Sequence, residues 1–134
     1  MQDQRSRPPL HRGMHHVALN VSHMPQCLDF YVGLLGMRIE WQPDENDVYL
    51  TSGTDNLALH RATQQPAGAQ HLDHIGFILA GMDEVDTWYD YLVDNGVEIV
   101  KPPRTHRDGA RSFYCKDPDG NVVQMIYHPP LVAG

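Results

Sequence analysis

The chain has 134 residues, 41% of them hydrophobic and 20% charged, with 17 acidic against 10 basic side chains and a net charge of −7. That length builds one domain with a real core and is too short for two, and the acidic balance argues against a nucleic-acid or anionic-membrane surface, the more so because Arg5, Arg7 and Arg12 crowd the N-terminus. No apolar run approaches the roughly 20 residues of a membrane helix, and two cysteines, Cys27 and Cys115, make no disulfide framework, so the cytoplasm is the expected compartment.

In chain order, residues 1–12 lack an apolar stretch and are expected to form a disordered tail, not a secretory signal. Residues 15–21 alternate, with Val17, Leu19 and Val21 on one face and His16, Ala18 and Asn20 on the other, as a half-buried strand does. Ser22 is the expected N-cap of a helix over about 25–35, with Pro25 in its first turn and Gly36 ending it in a left-handed conformation. Strands are expected at about 37–42, 47–52 and 56–62. "QQPAGAQ", 64–70, reads as a linker. A strand at 74–79, a helix ending before Gly96, and strands at about 97–101, 111–116 and 121–128 follow. "DPDG", 117–120, is a turn, with Gly120 supplying positive φ.

The second half repeats the first. With an offset of 58, His16 falls on His74, Leu19 on Phe77, Val21 on Leu79, Phe30 on Trp88 and Tyr31 on Tyr89, and after two extra residues Gly36 falls on Gly96. The expected class is therefore α+β: two tandem βαβββ units, 13–63 and 71–128, in a single domain over 13–128, with tails at 1–12 and 129–134.

Period two assigns the faces. A helix must cover the apolar face of each unit, namely Val17, Leu19 and Val21, Leu57 and Leu59, Ile75, Phe77 and Leu79, and Val123, Met125 and Tyr127. The opposite face then carries His16, His60, His74 and Gln124, one metal-competent residue from the first and last strand of each unit. Any one of them alone reads as a solvated strand residue; four at corresponding places in a repeat point to a metal. His71 precedes the matched segment, and Asp73 is out of phase.

"HHVALNV", "CLDFYVGLLGMRI", "LDHIGFIL" and "SFYCKDPDGNVVQM" together resemble the vicinal oxygen chelate superfamily over about 13–128. That superfamily includes glyoxalase I, bleomycin and fosfomycin resistance proteins, methylmalonyl-CoA epimerase and extradiol dioxygenases. The resemblance implies an eight-stranded, cup-shaped mixed sheet with helices outside, around a divalent ion such as Fe, Zn, Ni, Mn or Co. It implies His16, His60, His74 and Gln124 as ligands, a small-molecule substrate chelated through neighbouring oxygens, and a homodimer. Glu is usual where Gln124 stands, and an amide takes no proton. Proton transfer then falls to His60, or to His128, Tyr49, Tyr114 or Glu40. The expected activity is that of a glyoxalase- or dioxygenase-like lyase, isomerase or oxygenase; the rival reading is a metal-free sequestering protein of the bleomycin-resistance type.

Arg104, His106, Arg107 and Arg111 crowd one loop, as a solvated segment or as an anion site. Trp41 follows the second strand as a candidate cup residue, Trp88 is expected in the core, and both cysteines are expected to be inert packing residues.

Overall fold

The computed structural model describes residues 14–62 and 72–129; the expected tails and the 64–70 linker lie outside these, apart from Pro129. The element order is β1 His16–Val21, α1 Met24–Leu28 continuing as a π-helical segment Asp29–Leu34, β2 Arg38–Trp41, β3 Asp47–Thr51, β4 Asn56–Arg61, β5 Ile75–Ile78, α2 Met82–Asp94, β6 Ile99–Thr105, β7 Arg111–Lys116 and β8 Val122–Tyr127. Both units are βαβββ. The eight strands form two four-stranded mixed sheets, β1-β4-β3-β2 and β5-β8-β7-β6, in which the first and last strand of each unit pair in parallel.

The alternation is realised as expected. Leu19, Val21, Leu57, Leu59, Val123 and Met125 are buried in one core cluster with Met24, Cys27, Phe30, Tyr31, Val85 and Leu92 of the helices, while His16, Ala18 and Asn20 are exposed. Gly36 and Gly96 end their helices at φ 81° and 76°, and Gly120 closes the DPDG turn at 86°. Strand β6 runs to Thr105, beyond the expected end at 101, straight through Pro102 and Pro103. It is an edge strand, where prolines are tolerated, and its pairing with β7 shifts register between Lys101 and Arg104.

Ser22 is not the cap. The N-cap position is His23, whose side chain makes no capping bond, and the Ser22 hydroxyl is buried without a partner. The cap comes from the other unit: Asp119 accepts the Ser22 N–H at 2.8 Å and the His23 N–H at 3.0 Å. Next to it, Asp117 is buried and accepts four bonds, from the Tyr31 hydroxyl at 2.7 Å, the Asp119 and Asn121 N–H groups at 2.9 and 2.8 Å, and the Asn121 side-chain amide at 2.9 Å. The DPDG turn of unit two therefore holds the helix of unit one. Tyr91 closes the same junction by donating to the Leu34 carbonyl at 3.1 Å.

Candidate functional site

The strand registers sort the polar face of each sheet into rows. In unit one His16 lies opposite Asn56 and Asn20 opposite His60. In unit two Gly76 lies opposite Gln124, and two residues back along both parallel strands His74 falls near Val122. Two corrections follow. The counterpart of Gln124 in unit one is Ala58, which faces Ala18, while the counterpart of His60 is Ile126. His60 also stands four residues along the ladder from His16, about 13 Å at about 3.3 Å per residue. Ligands sit about 2 Å from a metal ion, so His60 does not share one with His16.

His74 and Gln124 do meet, through Tyr114. The Gln124 amide nitrogen donates to the Tyr114 hydroxyl at 3.1 Å, and the His74 ring packs edge-on to the Tyr114 ring at 5.3 Å. Gln124 is only 8% exposed. With its nitrogen committed to Tyr114, its oxygen is the free acceptor and points toward Gly76, where an added Cβ would lie 3.6 Å away. Gly76 thus keeps open the space beside that oxygen.

All three candidate histidines are oriented alike. Nδ1 contacts Asp73 in His74 at 2.6 Å, Asp47 in His60 at 2.7 Å and the Asn56 oxygen in His16 at 2.8 Å. The Asn56 amide nitrogen donates to Glu40 at 3.1 Å, so its oxygen must be the acceptor from His16. In each neutral ring Nδ1 is then the donor and Nε2 keeps the lone pair, the arrangement that an acceptor behind the ring imposes on metal-binding histidines. Asp73, out of phase for a ligand, is the group that orients His74; the acid beside the histidine was the signal for it in the sequence.

His16 and His74 line one cavity of about 390 Å³ at the meeting of the two units, with Val17, Asn56, Leu72 and Phe77. His74, Gln124 and His16 supply two imidazole nitrogens and an amide oxygen, a neutral set that fits a divalent cation. Among the described residues no three His, Cys, Asp or Glu side chains converge for one ion.

A second cavity, of about 440 Å³, adjoins the first group through Tyr114. Lys101, Arg104, His106 and Ser112 line it, and the Lys101 ammonium stands 5.7 Å over the Tyr114 ring. The cations singled out in the sequence thus divide: Arg104 and His106 face this cavity, whereas Arg111 is tied to Asp86 at 2.8 Å and to Thr105 at 2.9 Å. His128 Nδ1 is 3.9 Å from Asp108. Burial and the nearby Asp119 and Asp117 push the Cys27 thiol well up, and burial with Asp117 pushes Cys115 up to about 12, so both are neutral and inert. Burial alone would raise the Asp119 carboxyl, but the hydrogen bonds from Cys27, Ser22 and His23 outweigh it and hold it below the usual range.

Residues 13–125 match the sequence profile of the glyoxalase/bleomycin resistance protein/dioxygenase superfamily. The metallothiol transferase FosB of Staphylococcus haemolyticus is 28% identical over 116 residues, covering 85% of this chain and 82% of that one. The trivalent organoarsenical cleaving enzyme of Bacillus sp. (strain MD1) is 25% identical over 130 residues, covering 86% and 79%. The crystal structure of lactoylglutathione lyase from Agrobacterium tumefaciens superposes with a TM-score of 0.74 at 21% identity, over 90% of this chain and 96% of that one. These names denote three different reactions, so the likeness fixes ancestry and fold and leaves the chemistry to the site. The chain belongs to the glyoxalase/bleomycin resistance protein/dioxygenase superfamily.

Proposed function

We propose that the protein is a metal-dependent enzyme of the glyoxalase type, a lyase, isomerase or oxygenase, acting on a small anionic substrate that carries two neighbouring oxygens. The observation behind this is the Tyr114 junction: its ring meets His74, its hydroxyl meets Gln124, and the same residue lines the cavity of Lys101, Arg104 and His106. His74, Gln124 and His16 would hold the cation, with Asp73 and Asn56 fixing the two rings. A bound divalent ion (Fe, Zn, Ni, Mn or Co) polarises substrate oxygens as a Lewis acid. Lys101 and Arg104 orient the substrate's anionic group. Tyr114, already accepting from Gln124, has its hydroxyl proton to donate toward the same space. Gln124 takes no part in proton transfer, because an amide has no titratable proton near neutral pH.

The protein would work as a homodimer in the cytoplasm. Exposed Ile78 and Val100 on the strands of unit two support an assembly that covers them, and two buried free thiols suit a reducing compartment. No helix among the described residues is long and apolar enough to cross a membrane.

A second reading, a metal-free protein that sequesters a ligand between the units, draws on the lack of a three-ligand His/Cys/Asp/Glu cluster among the described residues. Metal analysis of untagged protein, before and after chelator and after titration with each candidate ion, separates the two. Uptake of about one equivalent per chain supports the enzyme; no uptake of any ion sinks it and leaves the sequestering protein.

A further inference from the structure

We infer that the Trp41, Tyr49 and His60 part of the polar face of unit one is a second binding station, for a planar aromatic cation, beyond the His16 and Asn56 end that belongs to the proposed metal site. The feature that builds it is a β-bulge. Ile39 lies opposite Leu50, yet Trp41 lies opposite Tyr49, so two residues of β2 span one step of β3 at Glu40. Without that extra residue Trp41 would face the core with Val48. With it, Trp41 stacks on Tyr49 at 5.1 Å and 22° and remains 59% exposed. A tryptophan aimed out of the core by a bulge, and held flat by a second aromatic ring, offers its outer face to a ring from solution.

The charge beside this platform chooses the ring. Tyr49 packs edge-on to His60 at 5.9 Å, and Asp47, opposite His60 across β3 and β4, holds the His60 Nδ1. Glu40 sits in the bulge itself and reaches the same face to accept from Asn56. Two carboxylates therefore flank the electron-rich rings against one cation, Arg38, which stands opposite Thr51, one row from Tyr49 on the side away from Asp47. Aromatic faces attract cations, and carboxylates match their charge. The Nε2 lone pair of His60, fixed by Asp47, accepts an N–H from the ligand. An aromatic amidinium or a protonated heteroaromatic base satisfies all three groups; an anion satisfies none. This is the opposite preference to that of the Lys101 and Arg104 cavity in unit two.

Benzamidine and benzoate share a shape and differ in charge, which makes them the probe pair. In chelator-treated protein labelled with ¹⁵N, benzamidine should shift the Trp41 indole resonance saturably and leave that of Trp88 in place, while benzoate does neither. Asp47→Asn and Glu40→Gln should each weaken benzamidine by several-fold up to roughly tenfold, with the dispersed amide spectrum showing that the fold is intact. The inference is overturned if the Trp41 indole does not saturate with benzamidine, if benzoate shifts it equally, or if both folded variants bind as the parent does. Because metal is removed throughout, failure here leaves the proposed metal enzyme standing, and failure of metal uptake leaves this station standing.

Discussion

In unit one the middle row of the polar face runs Trp41, Tyr49, Ala58, Ala18; in unit two the same row runs Lys101, Tyr114, Gln124, Gly76. Each row begins after a bulge of the same kind, since Ile99 lies opposite Cys115 and Lys101 opposite Tyr114. Each is centred on a tyrosine with one histidine edge-on to it, His60 in unit one and His74 in unit two. The histidines come from the rows on opposite sides of it. His74 therefore sits where Gln124 is its neighbour, and His60 sits where Asp47 is. One backbone plan thus carries a neutral ligand pair beside cations in one unit and an aromatic platform beside carboxylates in the other. A repeat preserves backbone placement; the chemistry rests on which row each side chain occupies.

The largest effect separates the two histidines. His74→Ala should abolish metal uptake, and His60→Ala should leave it unchanged, by elemental analysis of each purified protein. Loss in both variants would put His60 back among the ligands and break the contrast.

Next comes the joint between the units. Asp117→Ala strips four bonds from a buried carboxylate's partners and leaves the Tyr31 hydroxyl buried without an acceptor, which should cost about 3 kcal/mol in urea unfolding. An effect under about 1 kcal/mol would mean that the turn does not couple the units.

Asp73→Ala tests the orientation of His74 without touching a ligand. Removing a carboxylate that holds the far nitrogen of a metal-binding histidine weakens metal by about 10- to 100-fold, and because Asp73 is itself solvent-exposed the low end is expected. Metal competition titrations against a chelating dye would read it. An unchanged affinity would show that Asp73 does not set the ring.

Asp119 should give a smaller effect that depends on pH. Its folded carboxyl lies below the unfolded value, so the stability it adds is fully present above the ordinary carboxylate range, near pH 4, and is lost as pH falls through the folded value. Asp119→Asn should cost about 1 kcal/mol near neutral pH, as a lost helix cap does, and should converge with the parent in acid. Parallel stability curves from pH 7 to pH 3 would refute this. The smallest expected change is none: the native thiols of Cys27 and Cys115 should resist maleimide at pH 8 and react fully in urea.

Much of the fold could be read in advance, for a physical reason. Alternation and the glycines at 36, 96 and 120 are local constraints, and the burial of Leu19, Val21, Leu57, Leu59, Val123 and Met125 obeys them. The offset between His16 and His74 was legible because the two strands that open the units have equivalent surroundings. His60 was misplaced because parity gives a face and not a row: Ala58 and His60 share a parity, and only the pairing with β1 tells them apart. Ser22 was misjudged as a cap because its competitor lies 97 residues away.

Whatever depends on neighbours along the chain is encoded locally: two βαβββ units, their helix ends, the DPDG turn and the face on which each histidine stands. Register and contacts between units set the rest: Ala58 as the counterpart of Gln124, Trp41 turned outward by a bulge, Tyr114 joining His74 to a cationic cavity, and Asp119 capping the other unit's helix. A bulge moves every later side chain to the other face, and a cap needs only an acceptor within about 3 Å, whatever its distance in sequence. Neither is written in local periodicity.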